Sequence, residues 1–385
     1  MKTTDCHRMK CFRKIILLPC LVAIALALAV QQHAVAQSSG MLTSEQQPVR
    51  ITLTPAFQWY ENDGQSVHQE SVRLQGFVPL GSRWQVRGGI QMATAEADNG
   101  SSLTGLDDVE LSALYMRSVG AGSVVFRVDA SLPTGTEELT LDELQTAGLI
   151  SQSVYGFRVS GFGQGLNLKP RVTWALPLSE RVVAGLGASY AFRGSYRPFA
   201  SMVRSYDPGD ATEVFGGVDI ALSEQSGVAL DLRYTRYTTD QLGDVDRVQA
   251  GDLAAGTLQY RYERENGALR VSAFYQSWSE SNVFPRIVDA TETGDPTRRQ
   301  LAPSFGVLQA VYQTELWGTR MAFRAEGRRY GETVIVDSQT LLLLGVRPSF
   351  KVSGLGEGIV LTPQVTGTVG RVMGIDVGVQ TSWRF

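Results

Sequence analysis

The chain reads as an all-β protein: a transmembrane antiparallel up-and-down β-barrel of about 16 strands, with 14 or 12 as the smaller alternatives. Three observations predict this. First, Ile375, Val377, Val379, Thr381, Trp383 and Phe385 alternate with Asp376, Gly378, Gln380, Ser382 and Arg384, giving one greasy and one polar face. Second, short Gly/Ser/Asn turns and long polar loops follow one another in strict alternation, the pattern of a membrane barrel with turns at one rim and loops at the other. Third, after the first 36 residues no apolar run reaches 18 residues, so helical spans are excluded. A mean hydropathy near zero is what alternating faces produce. Lipid tolerates no open sheet edge, so strands of this kind must close on one another.

The N-terminus carries a separate signal. Lys2, Arg8, Lys10, Arg13 and Lys14 precede the apolar run Ile15–Val30, and Ala34-Val35-Ala36 is a small-x-small cleavage site. The apolar run is sixteen residues long, below the roughly 20 needed to span a bilayer. Residues 1–36 are therefore expected to be a cleaved signal peptide and 37–385 a single barrel domain. Cys6, Cys11 and Cys20 all fall in the leader, as do His7 and His33, so the mature chain is expected to lack thiol chemistry and multi-His metal sites. Neither a cofactor motif nor a calcium-loop spacing is present. The whole chain has 35 basic and 38 acidic residues; without the leader 30 face 37, a net of −7, which argues against nucleic acid as a partner.

Sixteen segments follow in order. Val49–Tyr60 puts Ile51, Leu53, Phe57 and Trp59 on one face, and Glu70–Leu80 does so with Val72, Leu74 and Val78. Arg83–Ala93, Leu106–Val119, Ser123–Leu132, Leu166–Leu178 and Arg181–Phe192 repeat the pattern. Thr212–Leu222, Gly227–Thr238, Asp252–Glu263, Ala268–Trp278, Ser304–Trp317, Gly318–Tyr330, Thr340–Val352, Gly358–Val369 and Met373–Phe385 complete it. Turns are expected at Pro79–Ser82, Gly120–Gly122, Ser179-Glu180, Ser223–Ser226, Glu265–Gly267, Trp317-Gly318 and residues 353–357. Long loops are expected at Glu61–Gln69, Thr94–Gly105, Pro133–Gly165, Arg193–Ala211, Thr239–Gly251, Ser279–Pro303 and Gly331–Gln339.

A barrel of this strand number encloses water rather than a packed core, and the inward face is accordingly charged. Its expected lining includes Arg127, Asp129, Arg171, Arg233, Arg261, Arg320, Arg324, Glu326, Arg328 and Arg347. Such charges can pair across strands and merely hydrate the wall, or they can filter solutes. Fifteen basic residues against ten acidic ones on this parity predict modest anion selectivity at low salt. The loop Pro133–Gly165 is the expected constriction loop, with Glu137, Glu138, Asp142 and Glu143, a short helical turn at Thr140–Gln145, and a Gly-rich run from Tyr155 to Gly165. Its alternative is an external loop at the cell surface.

Gly105-Leu-Asp-Asp-Val-Glu-Leu111, then Tyr115, then Leu132-Pro-Thr-Gly135 resembles the outer-membrane barrel family known as the phenol-degradation meta-pathway protein, or "transporter", family. The resemblance covers about Val72 to Phe192, with Asp107 where that family usually has a second Gly. It implies passive uptake of small solutes, hydrophobic or aromatic compounds among them. The terminal Phe385 resembles the assembly signal of such barrels and implies the barrel-assembly machinery as a partner. Outer-membrane lipid, lipopolysaccharide and a small-molecule solute are the other expected partners, a homo-oligomer remains open, and the expected location is the outer membrane of a Gram-negative-type bacterium. The competing readings are a structural or adhesive barrel without transport and a barrel lipase, deacylase or protease using His68, with Ser66, Glu70 and Ser71 nearby. Without an oxyanion-hole motif the chain is expected not to be an enzyme.

Overall fold

The computed structural model describes residues 48–152, 154–284, 296–333, 337–352 and 358–385. The leader expected over 1–36 and the turn expected at 353–357 lie outside the described residues. Sixteen antiparallel strands close into one barrel: β1 (Arg50–Asn62), β2 (Gln65–Leu80), β3 (Trp84–Ala97), β4 in two pieces (Ser102–Leu106 and Val109–Val119), β5 (Gly122–Leu132), β6 (Asn167–Pro177), β7 (Val182–Arg193), β8 (Ala211–Ala221), β9 (Ser226–Tyr237), β10 (Leu253–Arg264), β11 (Gly267–Trp278), β12 (Phe305–Leu316), β13 (Thr319–Tyr330), β14 (Gln339–Lys351), β15 (Ile359–Gly370) and β16 (Val372–Arg384). Closure is by β16 on β1, with Trp383 opposite Ile51 and Met373 opposite Glu61. A helix, α1 (Leu141–Ile150), follows β5.

The alternation sets the two faces. Phe126, Trp174, Leu186, Leu232, Leu258, Tyr275, Leu308 and Leu344 are among many large apolar side chains left exposed on the outward parity. A soluble protein rarely exposes so much contiguous apolar surface; around a closed barrel it is the band that meets lipid. Proline interrupts the ladder where it must, since it has no N–H to donate. Between β1 and β16 the pairing skips from Leu53↔Thr381 to Ala56↔Gly378, beside Pro55. Between β14 and β15 it skips from Val346↔Val365 to Phe350↔Leu361, beside Pro348 and Pro363.

Each of the sixteen expected segments is a strand, but two expected loops are not loops. Glu61–Gln69 is mostly strand: β1 and β2 meet at a two-residue turn, Asp63-Gly64, both with positive φ (50° and 77°). That is the Asp-Gly hairpin turn whose twist matches its strands. Thr94–Gly105 is likewise an extension of β3 and β4 around a short turn. These extensions hold as strands because their inward positions have something to pack on. Tyr60, Val67, Ala95 and Leu103 join a buried cluster with Ala147 and Ile150 of α1 and with Val154 and Tyr155 beyond it.

At the same rim, the loops after β7, β9 and β11 build a small five-stranded sheet from Tyr206–Asp207, Thr239–Leu242, Val245–Gln249, Ser281–Val283 and Thr297–Arg299.

Candidate functional site: an inward segment clamped to the lumen wall

The loop after β5 folds into the barrel. α1 begins at a capping box in which Thr140 receives the Glu143 N–H and the Glu143 carboxylate receives the Thr140 N–H. These reciprocal bonds satisfy donors that a helix start otherwise leaves open. The expected turn at Thr140–Gln145 is thus the first half of a ten-residue helix. After α1 the chain runs inside the barrel as residues 154–164, bonded in turn to the wall at β16, β1, β2 and β4.

Two aspartates fix that inward segment. From Met92↔Leu106 to Gly89↔Glu110, β3 advances three residues while β4 advances four. This extra residue is a β-bulge, which re-aims side chains that strict alternation would send to opposite faces. Asp107 and Asp108, consecutive in sequence, are both buried and both bond the inward segment. Asp107 accepts from the N–H of Gly161 at 2.5 Å, from that of Ser160 at 3.3 Å and from the Gln91 amide at 2.7 Å. Asp108 accepts from the N–H groups of Thr134 (3.1 Å), Gly135 (2.9 Å) and Gln164 (2.7 Å). A carboxylate receiving several N–H donors is a strong, charge-assisted anchor.

Glycine makes the fit possible. A Cβ on Gly105 would stand 2.1 Å from the Gly161 carbonyl oxygen, and one on Gly135 would stand 2.6 Å from the Gly163 Cα. The Gly-Leu-Asp-Asp and Leu-Pro-Thr-Gly stretches, separate in sequence, are therefore two halves of one clamp.

The neighbouring strands β16, β1 and β2 hold the segment through side-chain amides and one ion pair. Gln58 and Gln69 are both 0 % exposed. The Gln58 amide donates to the Gly156 carbonyl (3.2 Å) while its oxygen accepts from the Arg158 N–H (3.1 Å), and Gln69 donates to the Val159 carbonyl (2.8 Å). Arg73 donates to the Arg158 carbonyl at 2.7 Å. The Arg158 guanidinium then bonds Asp376 of β16. Arg158 is the functional residue that reading by strand parity misses, because it lies on no strand. Its only sequence signal is being the single charge in a Gly/aromatic run.

The expected lining residues divide into groups. Arg324, Glu326 and Arg328 form one network: Glu326 is 2 % exposed and takes Arg328 at 2.5 Å as well as Arg324. Arg127 and Asp129 pair at 2.6 Å. Arg171 and Lys169 share Glu213, at 3.1 and 3.4 Å. Arg347 donates to Gln380. Arg233 lies over the Phe274 ring at 5.9 Å, and Arg171 lies over Phe215 at 5.0 Å. Arg261 and Arg320 are exposed, opposite Arg270 and Glu315, and join none of these networks. The loop carboxylates stay outside the inward segment. Glu138 pairs with Arg197 at 2.6 Å, Glu143 caps α1, and Glu137 and Asp142 are exposed.

Beside the inward segment a cavity of about 950 Å³ runs along β1–β7. Its cations are Arg50, Arg87, Arg127, Lys169 and Arg193, its anions Glu110 and Asp129, and Phe77, Tyr196 and Tyr206 supply aromatic surface. His68 is elsewhere: on the outward face of β2, with Nε2 3.6 Å from Glu96. Ser71 is buried on the opposite, inward face, so the two do not form a nucleophile–base pair.

Neither a family model nor a curated protein matches this chain. Among solved structures it is similar to an outer membrane channel from Pseudomonas putida F1, at 8% identity over 90% of this chain and 100% of that one, with a TM-score of 0.41. It is also similar to OpdO of Pseudomonas aeruginosa (12% identity, 88% and 96% covered, TM-score 0.46) and to the CymD monoaromatic hydrocarbon channel (14%, 88% and 89%, 0.42). These likenesses are remote; the barrel is assigned from its own hydrogen-bonded closure.

Proposed function

We propose that this chain is an outer-membrane channel that passes small solutes by diffusion through a lumen narrowed by its own inward segment. The observation that carries this reading is the 950 Å³ cavity along the charged wall of β1–β7, which the clamped segment meets at Gln164. A structural barrel has no need of a polar cavity beside a fixed constriction, whereas a selective pore needs both. The excess of cations over anions around that cavity gives the passage an anion preference. The leader-like N-terminus and the apolar outer band support placement in an outer membrane, with lipid and lipopolysaccharide around it. The resemblance of the two clamp motifs to the "transporter" family supports uptake of small solutes, aromatic compounds among them. The placement of His68 and Ser71 on opposite faces supports a function other than catalysis.

The test is reconstitution of the purified chain in planar bilayers. Discrete conductance steps with an anion-selective reversal potential under a KCl gradient are expected. A correctly folded barrel that conducts no ions would leave the structural or adhesive reading in its place.

A further inference from the structure

We infer that the solutes this lumen is built for are small aromatic carboxylates; the inference rests on the channel reading above. It starts from how the inward arginines are partnered. Arg127, Arg171, Arg324 and Arg328 each find a carboxylate. Arg87 and Arg193 do not: among the described residues no carboxylate forms an ion pair with either. Each lies over an aromatic ring instead, Arg87 over Phe77 at 5.3 Å and Arg193 over Tyr237 at 5.6 Å. Both border the 950 Å³ cavity. They stand on different strands of its wall: the ladder runs from Arg193 through Asn167, Ser131 and Glu110 to Gly89, so Arg87 lies four strands away and two residues along. At about 4.8 Å between neighbouring strands that is roughly 19 Å around the wall.

A guanidinium over a ring keeps its charge uncompensated while its flat face is held by the ring quadrupole. Its N–H edge stays free to grip a carboxylate through two parallel bonds. The neighbouring aromatic surface, including Trp278 stacked on Tyr237 at 5.7 Å, offers a face for the solute's own ring. A solute carrying both a carboxylate and a ring uses both features. Chloride uses only the charge, an aliphatic acid lacks the stacking face, and a neutral aromatic leaves the guanidinium unanswered. Two such pairs, four strands apart on the wall of one cavity, give the repeated weak sites that conduction requires.

The experiment measures bi-ionic reversal potentials of the full chain in planar bilayers, with sodium chloride on one side and sodium benzoate or sodium cyclohexanecarboxylate on the other. The two acids share charge and approximate size and differ in the π-face. Benzoate should be at least threefold more permeant than cyclohexanecarboxylate. Arg87→Gln and Phe77→Leu, made separately, should each bring the ratio toward one, while Phe126→Leu on the outward face should leave it unchanged. Equal permeability of the two acids in the unmodified protein would overturn the inference, as would a ratio untouched by both lumen substitutions. A folded protein with no KCl conductance would instead refute the channel reading on which the inference stands.

Discussion

Arg158, near the middle of the segment folded inside the barrel, forms an ion pair with Asp376 on β16, the strand that closes the barrel. One bond thus joins the internal segment to the barrel seam. Asp376 is 7 % exposed, and among the described residues its second carboxylate oxygen has no hydrogen-bond partner. Arg158 retains some access to lumen water.

That asymmetry predicts unequal substitutions. Arg158→Gln strands a buried carboxylate; breaking a fully buried pair costs about 3–5 kcal/mol, and the partial exposure of Arg158 reduces this to roughly 1–3 kcal/mol. Asp376→Asn leaves a guanidinium that can turn to water, so its cost should be under about 1.5 kcal/mol. The double variant should lose less than the sum of the two. Thermal melts of the four proteins in detergent check this, and strict additivity would mean that the pair is not formed.

Asp108→Ala orphans the N–H groups of Thr134, Gly135 and Gln164. Bonds to a charged acceptor contribute about 1.5–3 kcal/mol each, so the inward segment should detach while the strand ladder persists. The expected readout is a raised, flickering conductance with a nearly unchanged melting temperature. Unaltered conductance would show that the clamp does not hold the constriction.

Two glycine substitutions should act in opposite directions. Gly105→Ala drives a Cβ to within 2.1 Å of the Gly161 carbonyl oxygen and must displace the segment. Gly148→Ala, in α1, meets nothing within 4 Å. It should stabilise the helix by about 0.5–1 kcal/mol, because glycine loses more backbone freedom on ordering. Limited proteolysis should cut the segment faster in the first variant and more slowly in the second.

The lumen charges predict a graded electrical effect. Arg87 borders the cavity, whereas Arg320 is exposed opposite Glu315. Arg87→Glu should shift the KCl reversal potential toward cations more than Arg320→Glu does. Both shifts should shrink as salt rises, since the Debye length falls from about 10 Å at 0.1 M to 3 Å at 1 M. An equal shift from the two substitutions would place the conducting path away from β1–β7.

The strands were legible because lipid outside and water inside force every second side chain to match its medium, so Val124, Phe126 and Val128 announce a wall by themselves. The rims were less so. Asn62-Asp63-Gly64 carries its own hairpin signal, but the alternation of short turns with long loops masks it, and Val67 reads as a loop residue until α1 is there to cover it. The site was legible only in part. The Gly-rich run Tyr155–Gly165 marked where the chain could approach the wall closely. The Asp107–Asp108 bulge did not show, because the apolar alternation resumes beyond it and hides the slipped register. Loop residues have no periodicity, so Arg158 could be found only by seeing which wall residues it meets. The carboxylates Glu137 and Asp142 drew attention by number, yet they remain at the rim in water.

The most direct test of the account is the single-channel conductance of the chain compared with a variant in which residues 154–164 are replaced by a short Gly-Ser linker. If the clamped segment narrows the lumen, the unmodified protein shows small, anion-selective steps, and the variant conducts several-fold more with weaker selectivity. Equal conductance in the two would mean that ions pass elsewhere or not at all, and would contradict the central claim.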